Sequence, residues 1–378
     1  MGKRTQKKNF RTLSVAALIG AVIVGAPAMA DTASHSGLDP ESIQFNADSL
    51  GTSANVTWQE VGGAGDNTVQ VNLPNETKYF QYTYTTPQGY NPGYHLSNPT
   101  GDINNTEFRG LSSSEGGAIY NYSGSIGNIT GDFIDNHASV GGAVYNYSLI
   151  QDIIGDFISN TSSNIGGGIF NSYGGVIGNI TGDFVGNNAY SGGAIWNYNT
   201  IGDIAGDFIG NSVKNNGGAI VNYAYYSGNK SIGNITGNFI GNTASKGSGG
   251  AIYNYAYSSN STASIGNITG DFIANSADSI ITYTSSYSSF YEVSGGAIAN
   301  YAYSSDRTTN IGNITGDFVN NIINATLTNE GSGGVNANVY GGAISNYASD
   351  NATAKIGDIT GNFVNNTINA TVNKEGSG

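Results

Sequence analysis

Six aspartates recur just ahead of a phenylalanine: Asp132, Asp156, Asp183, Asp207, Asp271 and Asp317, with Asn238 and Asn362 in the same place in two further copies. A pair of carboxylates can run acid/base hydrolysis of a glycoside, and a row of carboxylates can hold calcium. One aspartate per copy, always after a small residue, is more simply a turn residue that accepts a hydrogen bond from its own backbone. Like charges at one-strand spacing repel by about 1 kcal/mol per pair even in water, so such a row is expected to be solvated. An active site should also break a repeat where it sits, and this pattern continues unbroken. The histidines, His35, His95 and His137, stand far apart in sequence, and there is no GxSxG or HExxH motif. Cysteine is absent, which removes thiolate and redox chemistry. The segment GGAGDN at 62–67 echoes a calcium-binding nonapeptide, but it occurs once, has Asn67 where that motif wants aspartate, and reads as a turn. The expectation is a non-enzymatic protein with no catalytic residue, no metal site and no cofactor. A carbohydrate-active lyase or glycosidase is the alternative the aspartates leave open.

The aromatic side chains offer a different chemistry. Tyr120, Tyr122, Tyr145, Tyr147, Trp196, Tyr198, Tyr253 and Tyr255 recur two by two at one place in the repeat. Aligned on one face, they would offer apolar rings and hydroxyls to a glycan or a protein. The same residues could instead stack on each other and stabilise that face by up to about 1 kcal/mol per pair.

What would align them is a repeat. A tetrad GGAI, or a near variant, begins at Gly116, Gly141, Gly166, Gly192, Gly217, Gly249, Gly295 and Gly341, and a tetrad FxxN begins at Phe133, Phe157, Phe184, Phe208, Phe239, Phe272, Phe318 and Phe363. The two alternate strictly. Early units span 25 or 26 residues and later ones up to 46. The extra length lies in polar segments such as 279–293 and 322–339, which read as loops inserted at fixed points of a solenoid. Several glycines per unit argue against helices, each interior glycine costing about 1 kcal/mol there. Strands joined by glycine turns fit instead.

Comparing copies shows which side chains point inward. The fourth position of GGAIxN is always Ile or Val, whereas the fifth runs Tyr120, Tyr145, Phe170, Trp196, Val221, Tyr253, Ala299 and Ser345. With a side-chain period of two, the constant Ile and the constant Asn two residues later face one way, and the varied position faces the other. Coils stacked about 4.8 Å apart would set Ile over Ile, Phe over Phe and Asn over Asn. A single coil could not fold alone, because its few buried side chains contribute roughly 1.5–3 kcal/mol each against an ordering cost of roughly 1.5 kcal/mol per residue.

The ends differ from this body. Lys3, Arg4, Lys7, Lys8 and Arg11, the apolar run 15–26 and Ala28-Met29-Ala30 form a signal-peptide pattern over residues 1–30. Export to the bacterial cell surface, the outer membrane or the medium is therefore expected. Residues 31–110 lack the GGA tetrad and read as an N-terminal β cap, with GDINNTEF at 101–108 as a degenerate half-coil before the repeat region 111–378. The last unit stops part way, so the repeat is expected to be truncated at its C-terminal end. The net charge is −13, and without the five basic leader residues the rest is more acidic still. That argues against nucleic acid or anionic lipid as a partner.

Alternating GGA[ILV] and FxxN tetrads behind a signal peptide resemble the polymorphic outer membrane protein repeat of autotransporters, over Gly116 to Asn366. The resemblance implies an all-β fold, a right-handed parallel β-helix. It also implies a surface-exposed adhesin-type passenger that meets a host-surface or extracellular glycan or protein. Contact with the outer membrane would come only through a C-terminal barrel, which is not in this sequence. The many NIT triplets match an N-glycosylation pattern, and their constant place in the repeat suggests a ladder role. A passive stalk displaying another domain is the further alternative.

Overall fold

The computed structural model describes residues 31–33, 57–60, 67–73, 76–82, 95–104, 106–284, 289–330 and 335–374. The expected leader, His35 and most of the 62–67 turn lie outside them. Every regular element among the described residues is a β-strand. Near the N-terminus, Thr57–Glu60, Asn67–Leu73 and Glu76–Tyr82 pair antiparallel, and Asp31–Ala33 pairs parallel with the last of these.

From Leu96 onward the chain is a parallel β-helix, with each coil pairing in register with the coil before and after it. The GGAIxN strands form one nine-stranded sheet, Leu96 pairing with Ile119, Ile119 with Val144, and so on to Ile344. The IGNIT strands form a second sheet, the FxxN strands a third and the segments that follow them a fourth. The half-coil before the first full unit is present: Ile103 pairs with Ile129 and Phe108 with Phe133. The stack thus begins within the region read as a cap.

Alternation places the side chains as the sequence comparison requires. Ile119, Ile126, Ile129 and Phe133 of the first full coil are fully buried, and their copies line one continuous core. Phe108 and the eight phenylalanines of the FxxN tetrads stack with centroids 4.6–4.9 Å apart and planes within 8°. Parallel rings at that separation must be slipped sideways, the arrangement their quadrupoles favour.

Two asparagine ladders run through the same interior. The Nδ2 of Asn146 donates to Asn171 Oδ1 at 2.9 Å, and Asn171 donates to Asn197 at 2.8 Å. In the FxxN ladder each Asn makes a closed set of bonds. Asn187 Nδ2 donates to Asn211 Oδ1 at 3.0 Å and to the Phe157 carbonyl at 2.8 Å, while its backbone N–H also donates to Asn211 Oδ1. A buried amide left unpaired costs about 1–3 kcal/mol, and here each copy satisfies the next. The glycine pair is required by the same stacking. Gly141 has φ +63°, and a Cβ on Gly142 would lie 2.0 Å from the Gly167 carbonyl oxygen of the next coil.

The inserted segments depart from expectation. They are strands, not loops. Ser276–Tyr283, Ile322–Asn329 and Thr367–Lys374 run on from the fourth sheet and pair residue by residue, and Ser289–Ser294 pairs with Val335–Tyr340 on the way back. Ala277, Val293 and Ile323 give this arm its own small core. A second arm extends the GGAIxN sheet: Ile252–Ala256 runs out, Ser261–Ile265 returns, and Ala224, Ala256 and Ala263 pack between them. The physical reason is that successive insertions are themselves similar, so each finds a parallel partner one coil away.

Candidate functional site

The aspartate row is built into the stack. Asp183 N donates to Asp156 Oδ1 at 2.5 Å, Asp207 N to Asp183 Oδ1 at 2.7 Å, Asn238 N to Asp207 Oδ1 at 2.6 Å and Asp317 N to Asp271 Oδ1 at 2.8 Å. Each of these carboxylates therefore binds the backbone of the following coil, because parallel register brings that N–H one strand spacing away. The row is also less solvated than its charge led us to expect. Asp156, Asp207 and Asp317 are each 7% exposed, and the peptide N–H stabilises each carboxylate, a charged hydrogen bond contributing about 1.5–3 kcal/mol. His137 sits at the surface with Nε2 3.3 Å from its neighbour Asp135.

The aromatic residues do form a surface. Along the GGAIxN sheet, Tyr122 stacks on Tyr147 at 4.9 Å, Tyr147 meets Tyr173 edge-on, and the row continues through Tyr198 and Tyr223 to Tyr255. Tyr120 lies 5.2 Å from Tyr145 beside it. Trp196 meets both Tyr198 and Tyr223 edge-on. Of the eight residues picked from sequence, Tyr120, Tyr122, Tyr145 and Tyr147 gather in the first two coils, Trp196 and Tyr198 in the fourth, and Tyr253 and Tyr255 in the sixth.

Where rings stack, their faces are turned to each other, so edges and hydroxyls are what they offer outward. The mixed cluster in the middle of the row differs. Tyr225 and Tyr226 cross at 88°, Tyr173 and Tyr226 at 82°, and all three stay well exposed. Sequence reading missed Tyr173, Tyr223, Tyr225, Tyr226 and Tyr257. Tyr173 is displaced by one residue in FNSY, and Tyr225 and Tyr257 lie one period of two farther on, just past the end of an arm strand, a signal present in NYAY.

Burial grades along the row. Tyr122 is 51% exposed in the first coil, whereas Tyr301 is 2% exposed in the seventh. There the insertion arm leans over the sheet: the Tyr303 hydroxyl donates to Glu292 Oε2 at 2.6 Å, and Tyr340 stacks near Tyr347. Burial pushes the phenol of Tyr198 up to about 12 and that of Tyr223 higher still, and burial with Glu292 alongside raises Tyr301 and Tyr303. Arg307 places its guanidinium 5.6 Å from the Tyr257 ring centre, the one cation–π contact among the described residues.

Taken together, fold and surface define a β-solenoid with an aromatic face, open at Tyr122 and closed at Tyr301. Comparison with models of protein families, with curated proteins and with solved structures gives no match.

Proposed function

We propose that this chain is a non-enzymatic, adhesin-type autotransporter passenger, exported to the bacterial surface, that attaches to a host or extracellular glycan or protein through its aromatic face. The observation that carries the reading is the unbroken tyrosine row from Tyr122 to Tyr255, held rigid by in-register coils. Aromatic residues supply large contact area at low conformational cost, which suits a recognition surface. A phenol hydroxyl can both donate and accept, and burial raises the pKa of Tyr198 and Tyr223 in the row. The aspartates support the same reading over a glycosidase, because in each bond described above one carboxylate oxygen is engaged by the adjoining coil.

The test is adhesion by cells displaying the chain. Replacing Tyr173, Tyr225 and Tyr226 together by Ser should lower attachment at least tenfold while leaving the far-ultraviolet circular dichroism of the purified protein unchanged. Undiminished attachment would remove the aromatic face from the account and favour a stalk that displays another domain.

A further inference from the structure

A different face carries a second regular row. The triplets Asn128-Ile129-Thr130, Asn179-Ile180-Thr181, Asn234-Ile235-Thr236, Asn267-Ile268-Thr269 and Asn313-Ile314-Thr315 stand on the IGNIT sheet, with each Ile fully buried. Each Asn is exposed, as is each Thr save the half-exposed Thr130.

The carboxamides are oriented. Asn179 Oδ1 accepts from Asp203 N at 3.0 Å, Asn234 Oδ1 from Asn267 N at 2.9 Å, Asn267 Oδ1 from Asn313 N at 2.9 Å and Asn313 Oδ1 from Asp358 N at 2.9 Å. With the oxygen fixed along the stack, Nδ2 is left facing solvent. Among the described residues the Nδ2 groups of Asn179, Asn267 and Asn313 make no hydrogen bond, and that of Asn234 makes one long contact to Asp203 at 3.3 Å.

The pairing within the triplet varies in a telling way. All five copies with Asn have Thr two residues on, whereas two of the three full-coil copies with Asp, Asp152-Ile153-Ile154 and Asp203-Ile204-Ala205, lack it. The ladder bond needs only a side-chain oxygen, which Asp provides equally well, so that bond gives Thr no reason to follow Asn. Acceptor chemistry does, since N-x-Thr is the triplet on which an Asn amide receives a sugar.

We propose that this row is a set of attachment sites for N-linked sugars. The donor is a sugar activated through an anomeric phosphate. The Nδ2 nitrogen forms the bond to the anomeric carbon, the carbon–oxygen bond to phosphate breaks, the phosphate leaves with its electron pair, and the amide proton passes to a base of the transferase. A substituent on Nδ2 leaves the Oδ1 bond to the next coil intact. The interior triplets Asn146-Tyr147-Ser148 and Asn160-Thr161-Ser162 match the same pattern, yet both asparagines are fully buried. Asn146 Nδ2 donates to Asn171 and Ser148, and Asn160 Nδ2 to Asn187 and the Phe133 carbonyl. A sugar there would break the ladder.

The decisive measurement is glycopeptide mass spectrometry of the chain isolated from the cell that makes it. Added sugar mass is expected on peptides carrying Asn179, Asn234, Asn267 and Asn313 and not on those carrying Asn146 or Asn160. Thr236→Val should abolish the added mass at Asn234 and leave the circular dichroism unchanged. Unmodified peptides throughout, or equal occupancy at the buried triplets, would overturn the proposal.

Discussion

The early coils, Gly116 to about Ser245, and the late ones, from Gly249 to Lys374, share one frame and carry different surfaces. In both, the same Ile, Phe and Asn positions meet their copies one strand spacing away. The Phe184–Phe208 and Phe272–Phe318 pairs differ by only 0.2 Å in centroid distance, 4.9 against 4.7 Å. Yet Tyr122 of the first unit is open while the arm inserted in the late units covers Tyr301, and the second arm already begins at Ala224 in the fifth unit. The interior therefore does not dictate the exterior. A solenoid whose coils touch only their neighbours can enlarge one unit without disturbing the next.

The largest effect should come from breaking the shared frame in each region. Phe208→Ala and Phe272→Ala should each lower stability by about 3–5 kcal/mol, because both remove a fully buried ring. Urea unfolding followed by circular dichroism measures this. A clearly smaller loss at Phe272 would mean that the arms, and not the core, hold the late coils.

A pH effect should be confined to the late region. Asp278 is mostly buried in the first arm, accepts from Ser276 Oγ at 2.6 Å and Asn324 Nδ2 at 2.9 Å, and has its pKa raised, chiefly by burial. A carboxyl whose folded pKa lies above its unfolded one stabilises the fold fully below the unfolded value, and that contribution is lost as pH rises through the folded value. Hydrogen exchange of the arm should accordingly speed up as pH is raised through the carboxylate range, after correction for intrinsic exchange. Asp278→Asn should flatten that dependence and leave the early coils unaffected.

The smallest effect concerns the turn before each ladder Asn. Gly186, Gly210 and Gly241 occupy it with φ near +60° in the third to fifth coils, whereas Asp135 and Ser159 in the first two coils and Ala274, Asn320 and Asn365 in the last three hold it at +53° to +55°. Left-handed backbone costs an alanine roughly 1 kcal/mol. Ala274→Gly should raise stability by up to about 1 kcal/mol, read as a higher urea midpoint; a lower midpoint would show that the methyl group contributes more by packing.

Much of this was legible in the residues alone. The parallel β-helix, the inward Ile and Asn and the aromatic side of the GGAIxN strand all followed from comparing copies, because in a repeat the partner of each side chain is its own copy. The arms were harder. Stretches such as Asn324-Ala325-Thr326-Leu327 and Asn369-Ala370-Thr371-Val372 do repeat and alternate, but Ser, Thr and Asn in this proportion suit a loop as well as an edge strand.

Sequence by itself determined the period, the register and the identity of the core, since those depend only on which positions stay constant. Three-dimensional packing alone decided that the aspartates bind the following coil, that the insertions pair into arms, and that Tyr122 is open while Tyr301 is closed. The first depends on which N–H a carboxylate faces, the second on whether similar insertions extend or loop, and the third on an arm that leans over a sheet from a non-equivalent segment, and none of these is written in the spacing of the repeat.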